Sequence, residues 1–249
     1  MAVTVLSFFA LLVVSTSFIA GVFGMAGGMI LMGGLLMLLP VAGAMMLHGI
    51  TQLASNGWRA VLWREHAERR IVLRYSLGLL AAAGLFSLIS FVPDQRLVYI
   101  LLGLAPVVPL LMPDRFVPRA TARGGAECCG FICTAMQLVS GVSGPMLDVY
   151  FVHTDIGRRA IVATKACCQV LTHTTKIVYF GMLASVSAHE TDGLTIPVVA
   201  IALAAAVLGT TLARPVLDRL SDKRFRDYTR YILLSIGLIY LARGISGYL

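Results

Sequence analysis

Apolar residues recur along this chain in long runs separated by short polar or basic gaps. A helix that spans a bilayer needs roughly 17 to 25 mainly apolar residues, and runs of that kind stand at about 3–23, 42–62, 73–92, 97–112, 160–184, 194–213 and 229–247. Three further apolar stretches, 29–40, 125–140 and 145–153, are short, and each adjoins a break. Gly24, Gly27 and Gly28 make the break in the first half; Gly141, Gly144 and Pro145 make it in the second. The pattern predicts an all-α, polytopic membrane protein. No stretch is long and polar enough for a separate soluble domain, so 1–249 is expected to form a single transmembrane domain. No lysine or arginine precedes Arg59, so the first run lacks the basic start of a signal peptide and is expected to remain as a membrane helix.

The breaks belong to an internal repeat. Sliding the chain on itself by 117 residues lays 24–63 on 141–180, with Gly24 on Gly141, Gly27 on Gly144, Met29 on Met146, Gln52 on Gln169 and Val61 on Val178. Ser55 then falls on Thr172 and Arg59 on Lys176. Each half, 1–113 and 124–249, reads as a glycine-broken helix pair followed by three further helices.

Loop charges set the direction of each half. Arg64, Arg69, Arg70 and Arg74 follow the first polar-striped helix and mark the cytoplasmic side, as do Arg115, Arg119 and Arg123 two crossings later. The loop after the second striped helix, 185–193, has no lysine or arginine and carries Glu190 and Asp192, whereas Arg214, Arg219, Lys223, Arg224 and Arg226 follow the next crossing. The repeats are therefore expected to be inverted, with both termini outside. Arg96 is the one basic residue in an expected outer loop.

Composition agrees with this frame. Hydrophobic residues make up 58% of the chain and charged ones 13%, against about 25% in a soluble domain. The net charge of +8 lies in the loops, which makes it topological and removes nucleic acid as an expected partner. Five cysteines, Cys128, Cys129, Cys133, Cys167 and Cys168, lie in or beside apolar runs and do not form a secreted disulfide framework. No P-loop, no HExxH and no nucleophile with an adjacent base occurs, so neither an enzyme nor a nucleotide-driven pump is expected, and no cofactor. His66, His153 and His189 fall at loops or helix ends.

The chemistry lies in the stripes. His48, Gln52, Ser55 and Arg59 are spaced 4, 3 and 4, which places them within an arc of about 60° on one helix. Lys165, Gln169, Thr172 and Lys176 repeat the spacing. One reading makes the stripes interhelical glue; another lets Arg59 snorkel past Trp63 to the cytoplasmic surface. A third makes them functional, because a central charge in a bilayer costs roughly 2.5 to 3.5 kcal/mol. Half-helices starting after Gly28 and Pro145 would leave N–H groups inside the membrane, where they form an anion site, with Ser143 adding a hydroxyl. The candidate substrate-binding residues are accordingly Arg59, Lys176, Gln52, Gln169, Ser55, Asn56, Thr172, Gly27, Gly28, Ser143 and Gly144. Asp148, the one acid well inside the expected core, faces three cations and is expected to pair with Lys165, either as a fixed ion pair or as a proton relay.

The motifs G-M-A-G-G at 24–28, G-V-S-G-P at 141–145 and T-Q-L-A-S-N-G-W-R at 51–59, within a compact two-fold repeat, resemble those of the TauE/SafE family of sulfite and organosulfonate exporters. The second motif carries Pro145 where the family pattern has glycine. The resemblance implies secondary transport of a small oxyanion such as sulfite or an organosulfonate, in the cell inner membrane. The expected partners are this anion and the lipid bilayer, with a homodimer compatible with the pattern. The alternative is a soft-metal, copper-type permease that uses the intramembrane methionines and the cysteines, with Cys129 and Cys133 four residues apart.

Overall fold

A computed structural model of the chain describes residues 3–23, 25–112, 117–152, 154–184, 193–219 and 222–247. Gly24, Arg115, His153 and the segment 185–192, with His189, Glu190 and Asp192, lie outside the described residues. The described elements are α1 (Val3–Phe23), α2 (Met25–Leu36), α3 (Val41–Leu62), α4 (Arg69–Ile89), α5 (Gln95–Leu104), α6 (Val107–Leu111), α7 (Gly125–Ser140), α8 (Gly144–Val152), α9 (Arg158–Ala184), α10 (Ile196–Arg219) and α11 (Asp222–Ser246), with one 3₁₀ turn at Arg64–His66. No strand occurs among the described residues. The windows Leu6–Phe23, Arg69–Ile89 and Ile196–Ala213 are long and apolar enough to cross a membrane on their own. On α4, Leu73, Leu77 and Leu80 recur at helical spacing and are all exposed, a surface suited to lipid.

Two expectations are corrected. The run 97–112 is not one helix: it divides at Ala105 and Pro106, because Pro106 has no N–H to donate to the preceding turn, and Ala105 makes the last bond of α5 to the Leu101 carbonyl at 2.9 Å. The first half-helix does not start after Gly28. It starts at Met25, so both Gly27 and Gly28 sit within its first turn. A glycine inside a helix costs only about 1 kcal/mol relative to alanine, and contact with α1 calls for it at position 27. The second break falls where the spacing placed it: α7 ends at Ser140, Gly141 turns the chain at φ +77°, and α8 begins at Gly144 with Pro145 next, where a missing N–H costs nothing.

Helix packing pairs the halves. α1 lies on α10, α4 on α7, α3 on α9 and α5 on α11; exchanging the two halves maps this set of pairs onto itself. Lipid tails give no hydrophobic drive between membrane helices, so close backbone approach is what holds them. A Cβ on Gly78 would stand 1.8 Å from the Glu127 carbonyl oxygen across the α4–α7 contact, and one on Gly209 would stand 2.3 Å from the Val14 carbonyl oxygen across α1–α10. The shift of 117 residues also relates Ser17 on α1 to Thr134 on α7, and these carry the buried side-chain oxygens that lack a partner among the described residues.

Ion pairs and caps complete the frame. The Arg74 guanidinium clasps both oxygens of Glu127 at 2.8 Å and ties α4 to α7. Arg96 donates to the Gly244 carbonyl at 2.9 Å and so caps the C-terminus of α11. That contact explains why a cation stands in an expected outer loop: it complements the negative end of a helix dipole.

Candidate functional site

The contact of α3 with α9 turns the two polar stripes toward each other, and glycine-broken ends close the space between them. The resulting cavity is lined by Gly28, His48, Gln52, Asn56, Arg59, Gln137, Val142, Ser143, Gly144, Gln169 and His173. Its volume is about 40 Å³, room for about three waters at roughly 10–15 Å³ each, and hence for an ion of a few heavy atoms. Gly28 of α2 reaches it, and so does the N-terminus of α8, where the backbone N–H groups of Ser143 and Gly144 have no earlier turn to bond to.

Of the residues expected from the sequence, Arg59, Gln52, Asn56, Gln169, Gly28, Ser143 and Gly144 meet at the cavity. Arg59 donates to the Asn56 side-chain oxygen at 3.0 Å, which fixes the guanidinium along α3 rather than letting it run outward past Trp63. Four others stand elsewhere. Gly27 packs on α1: a Cβ there would stand 2.0 Å from the Thr16 carbonyl oxygen. Ser55 lies at the edge of its stripe and shares a hydrogen bond with Thr210 of α10 at 3.0 Å, while Thr172 meets the Tyr75 hydroxyl of α4 at 2.6 Å. These two repeat-related hydroxyls bind the flanking helices and do not line the cavity. Lys176 also stands behind the wall. Its fully buried ammonium donates to His48 Nδ1 at 2.7 Å and to the Gly141 carbonyl at 3.1 Å, and no carboxylate pairs with it among the described residues.

Asp148 and Lys165 form an ion pair between α8 and α9. The Asp148 side chain is 48% exposed, so it is not the deeply buried acid expected: the half-helix that carries it is only nine residues long and ends four residues further on. Neither residue lines the cavity. Cys129 and Cys133 do share a helix face, with sulfurs 3.8 Å apart, but they lie in an apolar cluster with Tyr75, Phe151 and Cys168. Among the described residues no group of three or more histidine, cysteine or acidic side chains is placed to hold a metal ion.

Gln137 and His173 are cavity residues that the stripes did not supply. His173 was within reach of the repeat, since it lies 117 residues after Asn56. Gln137 was not, because its equivalent position is Ala20. Its side chain organises the wall: Nε2 donates to the Gly141 carbonyl at 2.9 Å and lies 3.1 Å from His173 Nδ1, and Oε1 accepts from Ser143 Oγ at 2.9 Å. His48 Nε2 lies 3.0 Å from the Gly28 carbonyl, an acceptor only, so this nitrogen carries the proton and Nδ1 is left to accept from Lys176.

The sequence model of the family described as sulfite exporter TauE/SafE matches residues 8–240. The chain belongs to the TauE/SafE family. No curated protein and no solved structure matches it. TauE/SafE proteins are membrane transporters rather than enzymes, and this member is accordingly a multi-pass membrane protein built for transport. The cavity between α3, α9 and the two broken pairs is where its polar groups converge.

Proposed function

We propose that this TauE/SafE protein exports a small oxyanion, sulfite or an organosulfonate head group, by alternating access to the cavity between its halves. The observation that carries the reading is the charge of that cavity: Arg59 faces it, Lys176 stands fully buried one side chain behind it, and no carboxylate lines it. A buried cation without a counter-charge is costly, by several kcal/mol. An anion in the cavity offsets that cost, and it meets the Arg59 guanidinium held by Asn56 and the His173 ring held by Gln137. The two halves, 1–113 and 124–249, are read as inverted repeats around this point in the cell inner membrane, with both termini outside. Paired exchange of α1–α10 with α7–α4 supports the two-fold relation, as does the α3–α9 contact, which is its own equivalent under the exchange, while the inversion and the outside termini rest on the loop charges.

The test is sulfite binding and flux. Purified protein should bind sulfite by titration calorimetry and release it from preloaded liposomes. Arg59→Gln should weaken binding about tenfold or more, since a hydrogen bond to a charged group contributes about 1.5–3 kcal/mol. Unaltered affinity and flux in a folded Arg59→Gln protein would remove the arginine from the substrate path and with it the proposed site.

A further inference from the structure

We infer that the cavity selects anions whose head group carries no proton: sulfite, sulfate or a sulfonate group is taken, and hydrogen phosphate, of like charge and shape, is refused. The inference rests on the reading of the cavity as an anion site and adds which anions it holds.

Most neutral acceptors around the cavity wall already take a donor from the protein itself, and no carboxylate stands among them. The Gly28 carbonyl takes the His48 N–H, and the Gly141 carbonyl takes both Gln137 and Lys176. Gln137 Oε1 takes the Ser143 hydroxyl, and Asn56 Oδ1 takes Arg59. His173 Nδ1 faces the Gln137 amide nitrogen, so the neutral ring carries its proton on Nε2. His173 thus presents a donor, as does every unused N–H of Arg59. The α8 N-terminus adds backbone N–H groups at Ser143 and Gly144.

Two side-chain amides remain. Gln169, 5% exposed, has no hydrogen-bond partner on its side chain among the described residues, and the Gln52 amide nitrogen lies beside Gly28, close enough that a Cβ there would stand 3.3 Å from it. Each can offer an N–H. To receive a ligand O–H, an amide would have to turn its oxygen inward and withdraw that donor, and as a neutral acceptor it is weaker than the carboxylate that such a proton calls for. A dianion that only accepts therefore fits the wall as it stands. One that carries an O–H buries that donor without an equal partner, the situation in which polar mismatch discriminates most strongly.

The experiment uses the full chain in lipid nanodiscs at mildly alkaline pH, where sulfate, hydrogen phosphate and monofluorophosphate are all dianions. Monofluorophosphate has fluorine where hydrogen phosphate has hydroxyl, so it keeps the phosphorus and loses the proton. Titration calorimetry with sulfite, sulfate and monofluorophosphate should show binding, and hydrogen phosphate should bind at least tenfold more weakly than sulfate. Gln169→Glu, which places a strong acceptor in the wall, should raise the phosphate-to-sulfate affinity ratio whatever it does to each affinity. Equal binding of sulfate and hydrogen phosphate overturns the inference and leaves the anion site standing. Refusal of monofluorophosphate alongside hydrogen phosphate also overturns it, because shape or element would then be what is read. If none of the anions binds, the inference and the proposed function fall together.

Discussion

Neighbouring glycines in the first broken pair should respond to the same substitution in opposite ways. In Gly27→Ala the new methyl would lie 2.0 Å from the Thr16 carbonyl oxygen and 2.4 Å from the Ala20 nitrogen, whereas ordinary contact begins at 3.4 Å. Helix α2 would have to retreat from α1 by the difference, 3.4 − 2.0 = 1.4 Å, against backbone atoms that no rotamer change can move. Overpacking of that kind costs about 1–3 kcal/mol, and the upper end applies here because the obstacle is main chain. In Gly28→Ala the methyl meets the Gln52 amide at 3.3 Å and His48 Nε2 at 3.7 Å, the ends of side chains, so the fold should bear it. Its effect falls on the cavity, where a displaced Gln52 loses a charge-assisted hydrogen bond to the anion, about 1.5 kcal/mol and hence about tenfold in affinity. Thermal unfolding in detergent and sulfite titration separate the two: Gly27→Ala should unfold at clearly lower temperature, and Gly28→Ala should unfold near wild type but bind sulfite more weakly. A Gly27→Ala protein of wild-type stability, or a Gly28→Ala protein of wild-type affinity, would refute the placement of these residues.

Ser55→Ala and Thr172→Val should leave sulfite affinity unchanged and lower stability by about 1 kcal/mol each, the usual worth of one neutral hydrogen bond; a tenfold loss of affinity in either would return it to the cavity. Asp148→Asn should keep both the flux and its pH profile, because the pair with Lys165 is half-exposed and worth at most about 1 kcal/mol; loss of pH dependence with flux retained would make Asp148 a relay. In a protein stripped of its native cysteines, a cysteine at Ser187 should react with an impermeant reagent from outside and one at Ala67 should not. Labelling of both from the same side would end the inverted arrangement.

Helix positions were legible in the chain because the bilayer imposes its own rule: every spanning segment must satisfy its backbone internally and present apolar side chains. Length and hydropathy alone therefore placed α1, α3, α4 and α9 near their observed bounds, whereas α10 runs six residues beyond its apolar run and α11 starts seven residues before its own, through the basic segment between them. They failed at 97–112, where Pro106 acts on hydrogen bonding and leaves hydropathy untouched. The stripes were legible for a similar reason, since polar groups at helical spacing in an apolar run stand out.

What the chain could not tell is which side of a stripe its partners approach. Ser55 and Asn56 are adjacent, and both lay among the expected binding residues; only the seating of α10 on α3 turns Ser55 to Thr210 and leaves Asn56 on the cavity. Arg59 and Lys176 are equivalent under the repeat, yet one faces the cavity and the other braces His48 behind it, because the unlike pairs at 48/165 and 56/173 break the symmetry locally. Gln137 shares its face of α7 with Thr134 and Ser140, but these are small residues of the kind that bond within a helix, and its repeat equivalent, Ala20, is apolar. Gln137 acquires its place from the turn at Gly141, which folds the α7 C-terminus against His173 and Ser143. Periodicity along a helix records which residues share a face; the relative rotation and depth of neighbouring helices, set by packing between elements distant in sequence, decides what that face meets.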